Sequence, residues 1–165
     1  MGQPDPLPPE DIARVPTPPD IRQGGRTHPL LRLEPPMLTE NFRILLVEDH
    51  PFQLIALQIL LNNNGLYRVT PALNASEALG AMERSPKPYD LLLCDQRLPG
   101  MCGLELIQTA TRRGLIQRAI LLSGLEAAPL ATLESEARAM GLPLLGCLSK
   151  PLNTLELISL ISAPA

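Results

Sequence analysis

Short apolar runs of about five residues alternate along this chain with longer segments in which apolar residues recur every three or four positions. The first kind reads as strands buried on both faces, the second as helices with one apolar stripe. The pattern predicts a first strand at Arg43–Val47 and a helix over residues 52–63, with Phe52, Ile55, Ala56, Ile59 and Leu60 on one face. A weaker strand follows at residues 66–70, then a helix from the cap residue Asn74 to about Glu83, with Glu77 placed as a capping-box partner. Residues 90–94 form the next apolar run. After the Pro99-Gly100 turn a helix is predicted over residues 103–113, then a strand at 119–122 and a helix around 129–140 that stops at Gly141. The series closes with a strand at 144–148 and a helix at 153–161, where Asn153 and Glu156 form a second cap pair. Five strands alternating with five helices imply an α/β fold around a parallel sheet.

The first 36 residues break this rhythm. They hold ten of the nineteen prolines, including Pro8-Pro9, Pro18-Pro19 and Pro35-Pro36, and show no apolar period. We read residues 1–36 as a disordered or partly polyproline II extension. The remainder of the 165-residue chain suffices for one domain. Aromatic residues are 2% of the chain and Trp is absent, so the core must be built from Leu, Ile, Val and Ala.

A net charge of −3 excludes a basic field for nucleic acid, and Arg112-Arg113 reads as a solvated helix end. No apolar run approaches the roughly 18 residues needed to cross a membrane, and the N-terminus lacks a signal peptide's basic and apolar segments. Cys94, Cys102 and Cys147 form neither a CxxC pair nor an even set, which fits a reduced, cytoplasmic compartment and small core or loop roles. His28 lies in the extension, and His50 reads as loop surface.

The chemistry lies at the ends of the apolar runs. Glu48-Asp49 closes the first, Asp95 the third, Ser123 the fourth and Lys150 the fifth. In a parallel sheet these ends share one edge, the usual ligand site of such folds. Two carboxylates about 5 Å apart repel by roughly 3 kcal/mol at an effective dielectric of about 20, a large cost against a marginal folding free energy. A cluster of Glu48, Asp49 and Asp95 therefore points to a hard divalent cation such as Mg²⁺, with Lys150 balancing the remaining charge.

In the segments ILLVEDH, LLLCDQRLPGMCGLEL, ILLSG and LSKPL the chain resembles the receiver domain of two-component response regulators. The resemblance covers about residues 42–162, and five separated positions agree in type, order and strand-end placement. It implies a flavodoxin-like doubly wound sheet of strand order 2-1-3-4-5. It further implies that Asp95 accepts a phosphoryl group from a histidine kinase or phosphotransfer protein, and that Glu48, Asp49, Asp95 and the backbone carbonyl of Arg97 hold Mg²⁺. By the same resemblance Ser123 and Lys150 bind phosphoryl oxygens, the Lys150-Pro151 bond is cis, and Arg97 and Leu125 affect the lifetime of the phosphorylated form. The partner would be an unidentified protein, reached by direct contact.

The chain also departs from the family. Three residues before the lysine the family usually places an aromatic that swings inward on activation, and here that position is Cys147. The stretch from Ser123 to Lys150 is a few residues longer than usual. EDHPFQ and GLPLLGCLSKP look most like receivers joined to EAL-type cyclic di-GMP phosphodiesterases, and with the chain stopping at Ala165 we expect a receiver acting without an attached output domain. Two alternatives stand beside this reading: the receiver part of such a phosphodiesterase, and an interaction module that does not use phosphate, which Cys147 motivates. A haloacid dehalogenase type phosphatase would need a second aspartate two positions after the nucleophile, where this chain has Arg97.

Overall fold

The structure is a computed structural model and describes residue 2, residues 40–124 and residues 127–163; all but residue 2 of the extension (residues 1–36), and Leu125, lie outside the described residues. Ten elements alternate: β1 Arg43–Val47, α1 Pro51–Asn63, β2 Arg68–Ala72, α2 Ala75–Arg84, β3 Leu91–Asp95, α3 Gly103–Arg112, β4 Ala119–Ser123, α4 Ala127–Ala139, β5 Leu144–Ser149 and α5 Thr154–Ser162. The strands form one parallel sheet in the order β2-β1-β3-β4-β5, the doubly wound flavodoxin-like arrangement.

The strands alternate side chains between two apolar clusters, one on each face of the sheet. Leu45, Val47, Leu92, Cys94, Ala119 and Leu121 pack with α2, α3 and Ala137 of α4. Ile44, Leu46, Leu91, Leu93, Ile120 and Leu122 pack with Leu54 and Leu61 of α1 and Leu157 and Ile161 of α5. β3 and β4 are buried at every position, which is why their sequences are unbroken apolar runs.

Two sequence readings are corrected in detail. β2 runs two residues later than predicted, through Pro71, which sits opposite Leu46. Proline reads as a strand terminator, but β2 is an edge strand, where a missing N–H on the open side costs no ladder bond. In α1 the stripe expected to matter is not the one the sheet takes. Leu54 and Leu61 are buried, whereas Phe52 is 88% exposed and Ile55 and Ile59 are each 54% exposed. The helix is apolar nearly all round, so periodicity alone could not select the inward face.

The caps follow the sequence closely. Asn74 Oδ1 accepts from the Glu77 N–H at 2.8 Å, while Glu77 accepts from the Leu73 N–H at 2.8 Å. Asn153 Oδ1 accepts from the Leu155 N–H at 2.9 Å at the start of α5.

Candidate functional site at the carboxyl edge of the sheet

Parallel strands end on the same side, so the residues after β1, within β3 and β4, and after β5 meet at one edge. Glu48 is fully buried, Asp95 is 6% exposed and Ser123 is 1% exposed. Three buried polar groups of this kind in an aliphatic core require partners. Lys150 supplies the main one. Its Nζ donates to Glu48 Oε2 at 2.7 Å and to Asp95 Oδ2 at 2.9 Å, and both contacts are ion pairs. The lysine is aimed by its own backbone, because the Lys150 N–H donates to the Ser123 carbonyl at 2.9 Å. The Lys150-Pro151 peptide is cis.

The second oxygen of Asp95 accepts from the Arg97 N–H at 3.2 Å. Burial pulls the pKa of Lys150 down, but the hydrogen bonds it donates to Glu48 and Asp95, and their charges, outweigh it and hold the ammonium above its ordinary value. The structure thus brings Glu48, Asp95 and Lys150 into one bonded set. Ser123 lies at the neighbouring strand end, its partner in β5 being Ser149.

Asp49 faces the outer side of the cluster, beside His50. The His50 Nδ1 lies 3.2 Å from Glu48 Oε1 and 3.1 Å from Asp49 Oδ1. Its pKa is raised by the hydrogen bond to Glu48 and by the charge of Asp49. One ligand atom from each of Glu48, Asp49 and His50 falls within 4.8 Å of the others. Paired carboxylate oxygens at the mouth of a buried acidic site suit a hard divalent cation. His50 lies on the loop surface beside the acidic pair, as read from the sequence, and its ring adds these contacts to Glu48 and Asp49.

Two further residues escaped the sequence reading. Gln53, in the first turn of α1, accepts from Lys150 Nζ at 3.2 Å. Glu134 of α4 accepts from the Cys147 N–H at 2.9 Å. Cys147 is half-buried, and burial together with the Glu134 charge pushes its thiol up to about 11; burial raises the Cys94 thiol as well.

Residues 44–162 match the family described as the response regulator receiver domain. The chain belongs to that family. Cyclic di-GMP phosphodiesterase RocR of Pseudomonas aeruginosa is 27% identical to this receiver over 122 residues, 74% of this chain and 31% of that protein. A solved chain described as adenylate cyclase from Rhodopirellula baltica superposes with a TM-score of 0.62 at 31% identity, covering 73% of this chain and 84% of that one. A CheY-like receiver domain protein from Methanospirillum hungatei does so with a TM-score of 0.58 at 27% identity, covering 71% and 87%. The receiver spans between 10% and 47% of the length of the curated relatives it matches. It is a receiver of the two-component response regulator type, and no helix among the described residues is long and apolar enough to cross a membrane.

Proposed function

We propose that this receiver takes up a phosphoryl group on Asp95 and signals by protein contact. The observation that carries the reading is the Lys150 ammonium, held 2.9 Å from Asp95 and 2.7 Å from Glu48 at the buried strand edge. A carboxylate oxygen of Asp95 attacks phosphorus as the donor's P–N bond, or the P–O bond of an acyl phosphate, breaks; the product is an acyl phosphate. Lys150 then exchanges its bond to Asp95 for one to a phosphoryl oxygen, and the Ser123 hydroxyl donates to another. Glu48, Asp49, Asp95 and the Arg97 carbonyl are the groups that would hold Mg²⁺, which when bound neutralises charge on the transferring phosphoryl group.

The exposed apolar ridge of α1 supports a protein donor. Phe52, Ile55 and Ile59 recur at helical spacing on solvent-facing turns, and a groove lined by Ala56, Leu57, Leu60, Pro151 and Leu152 runs from that helix to Lys150 itself. A histidine kinase or phosphotransfer protein that delivers phosphate to Asp95 has to cover this edge, and an apolar surface beside it offers the contact.

Incubation with acetyl phosphate or phosphoramidate and Mg²⁺, followed by intact mass, tests the reading. Gain of one phosphoryl group by the wild type and none by Asp95→Asn is the expected result. No gain by folded wild type with either donor overturns it and leaves the phosphate-independent interaction module, which the absence of an aromatic at Cys147 favours. Likeness to part of RocR supports a cyclic di-GMP phosphodiesterase as the output, on the same polypeptide or a separate one. Hydrolysis of cyclic di-GMP that did not respond to the phosphorylated receiver would remove that assignment.

A further inference from the structure

An ammonium has three N–H donors, and at this site all three are engaged. Two go to carboxylates fixed on the strand ends, Glu48 at 2.7 Å and Asp95 at 2.9 Å, and the third goes to the Gln53 Oε1 at 3.2 Å. The first two acceptors lie deep in the sheet edge. Gln53 is exposed and belongs to another element, the first turn of α1. Two anionic acceptors alone leave the lysine stem free to swing about the line that joins them, whereas a third acceptor from another element fixes its direction.

The surroundings single out this glutamine. α1 reads PFQLIALQILLNN, so Gln53 is one of few polar residues on an apolar helix. In the groove between α1 and the segment after β5 the walls are Ala56, Leu57, Leu60, Pro151 and Leu152, and among the described residues the polar ones are Gln53 and Lys150. The two polar walls are bonded to each other.

We infer that Gln53 is a positioning residue for Lys150: its side-chain carbonyl holds the ammonium at Asp95 before phosphoryl transfer and stays with it as the lysine turns to the phosphoryl group. The inference rests on the reading of Asp95 as phosphoacceptor, and it concerns a residue that acts through Lys150 and does not touch the reacting atoms. A methionine at this position keeps the length, the helix propensity and the apolar groove while removing the acceptor. A glutamate keeps an acceptor oxygen.

The test compares wild type, Gln53→Met and Gln53→Glu in the full chain with two readouts. The first is the Lys150 side-chain amine resonance in ¹⁵N-lysine protein without any donor. It is expected to be protected and distinct in wild type and Gln53→Glu, and to exchange faster and shift toward free lysine in Gln53→Met. The second is the rate of phosphorylation by phosphoramidate with Mg²⁺, where Gln53→Met is expected to lower the maximal rate about threefold to tenfold with half-saturating donor unchanged. A lysine resonance and a maximal rate in Gln53→Met that both match wild type would overturn the inference while leaving Asp95 phosphorylation intact. Absence of phosphoryl gain by wild type would instead remove the reading of Asp95, and the resonance would still decide whether Gln53 holds the lysine.

Discussion

Replacing Gly103 by alanine should destabilise this receiver, against the intrinsic helix preference. Gly103 opens α3, and alanine in a helix is ordinarily favoured over glycine by about 1 kcal/mol. Here an added Cβ would lie 2.5 Å from the Asp95 carbonyl oxygen, 2.7 Å from Leu121 Cδ2 and 3.0 Å from Gln96 Cα. Two of these three atoms are backbone, so no side-chain rotation relieves the contact. The start of α3 is also tied down by the Gly103 N–H to the Gln96 carbonyl at 2.9 Å and by the Leu104 N–H to Gln96 Oε1 at 3.0 Å. Overpacking typically costs about 1–3 kcal/mol, and contact with fixed backbone belongs at the upper end. We expect a net loss of about 2 kcal/mol, read as a lower urea midpoint at unchanged slope, and a fall in Tm on the order of 8 °C. Because the displaced carbonyl belongs to Asp95, phosphorylation should slow as well. A Gly103→Ala protein as stable as wild type, with an unchanged phosphorylation rate, would refute the claim that α3 is pressed against the site by this glycine.

Lys150→Met leaves the buried carboxylates of Glu48 and Asp95 without a cation. Without divalent ions it should lose roughly 2 kcal/mol in urea melts, and Mg²⁺ should restore part of that; equal midpoints with and without the lysine would contradict the ion-pair account. Since the ammonium is held above its ordinary value, its stabilisation should persist through neutral pH and disappear only in strongly alkaline solution, as pH rises through that raised value. Phe52→Asp, at a position 88% exposed, should leave Tm and acetyl phosphate labelling unchanged yet slow transfer from a phosphorylated protein donor at least tenfold; equal slowing with both donors would argue against a docking role. With its thiol pushed up to about 11, Cys147 should react with a disulfide reagent at pH 8 about tenfold more slowly than an unperturbed thiol, the lost thiolate fraction being partly offset by the greater nucleophilicity of a more basic thiolate. Glu134→Gln should speed that reaction, and a Cys147 rate matching free cysteine would show that neither burial nor Glu134 shields it.

The strands and the strand-end residues were legible in the sequence for a physical reason. A strand buried on both faces tolerates almost nothing but aliphatic residues, so Leu91–Asp95 and Ala119–Ser123 stand out, and the polar residue that ends each run marks the sheet edge. The inward face of α1 was not legible, because Phe52, Ile55 and Ile59 compete with Leu54 and Leu61 at the same helical period and only the packing decides between them. β2 was misplaced by two residues because whether Pro71 can belong to a strand depends on which strand lies at the edge. Gln53 and Glu134 reach their partners over 97 and 13 positions, and neither residue type nor spacing announces such a bond.

The two borders of the sheet differ from open strands in a way that bears on crowding. A bare border is a template on which a neighbouring molecule can lay down another strand, the first step toward filaments. On one border Pro71 has no N–H to offer, and Arg68 places a charge at the strand's first position. On the other, the Cys147 amide is already occupied by Glu134. Each border therefore lacks a free donor at one position, which disfavours lateral growth, while the exposed apolar ridge on α1 stays open to contacts made by side chains.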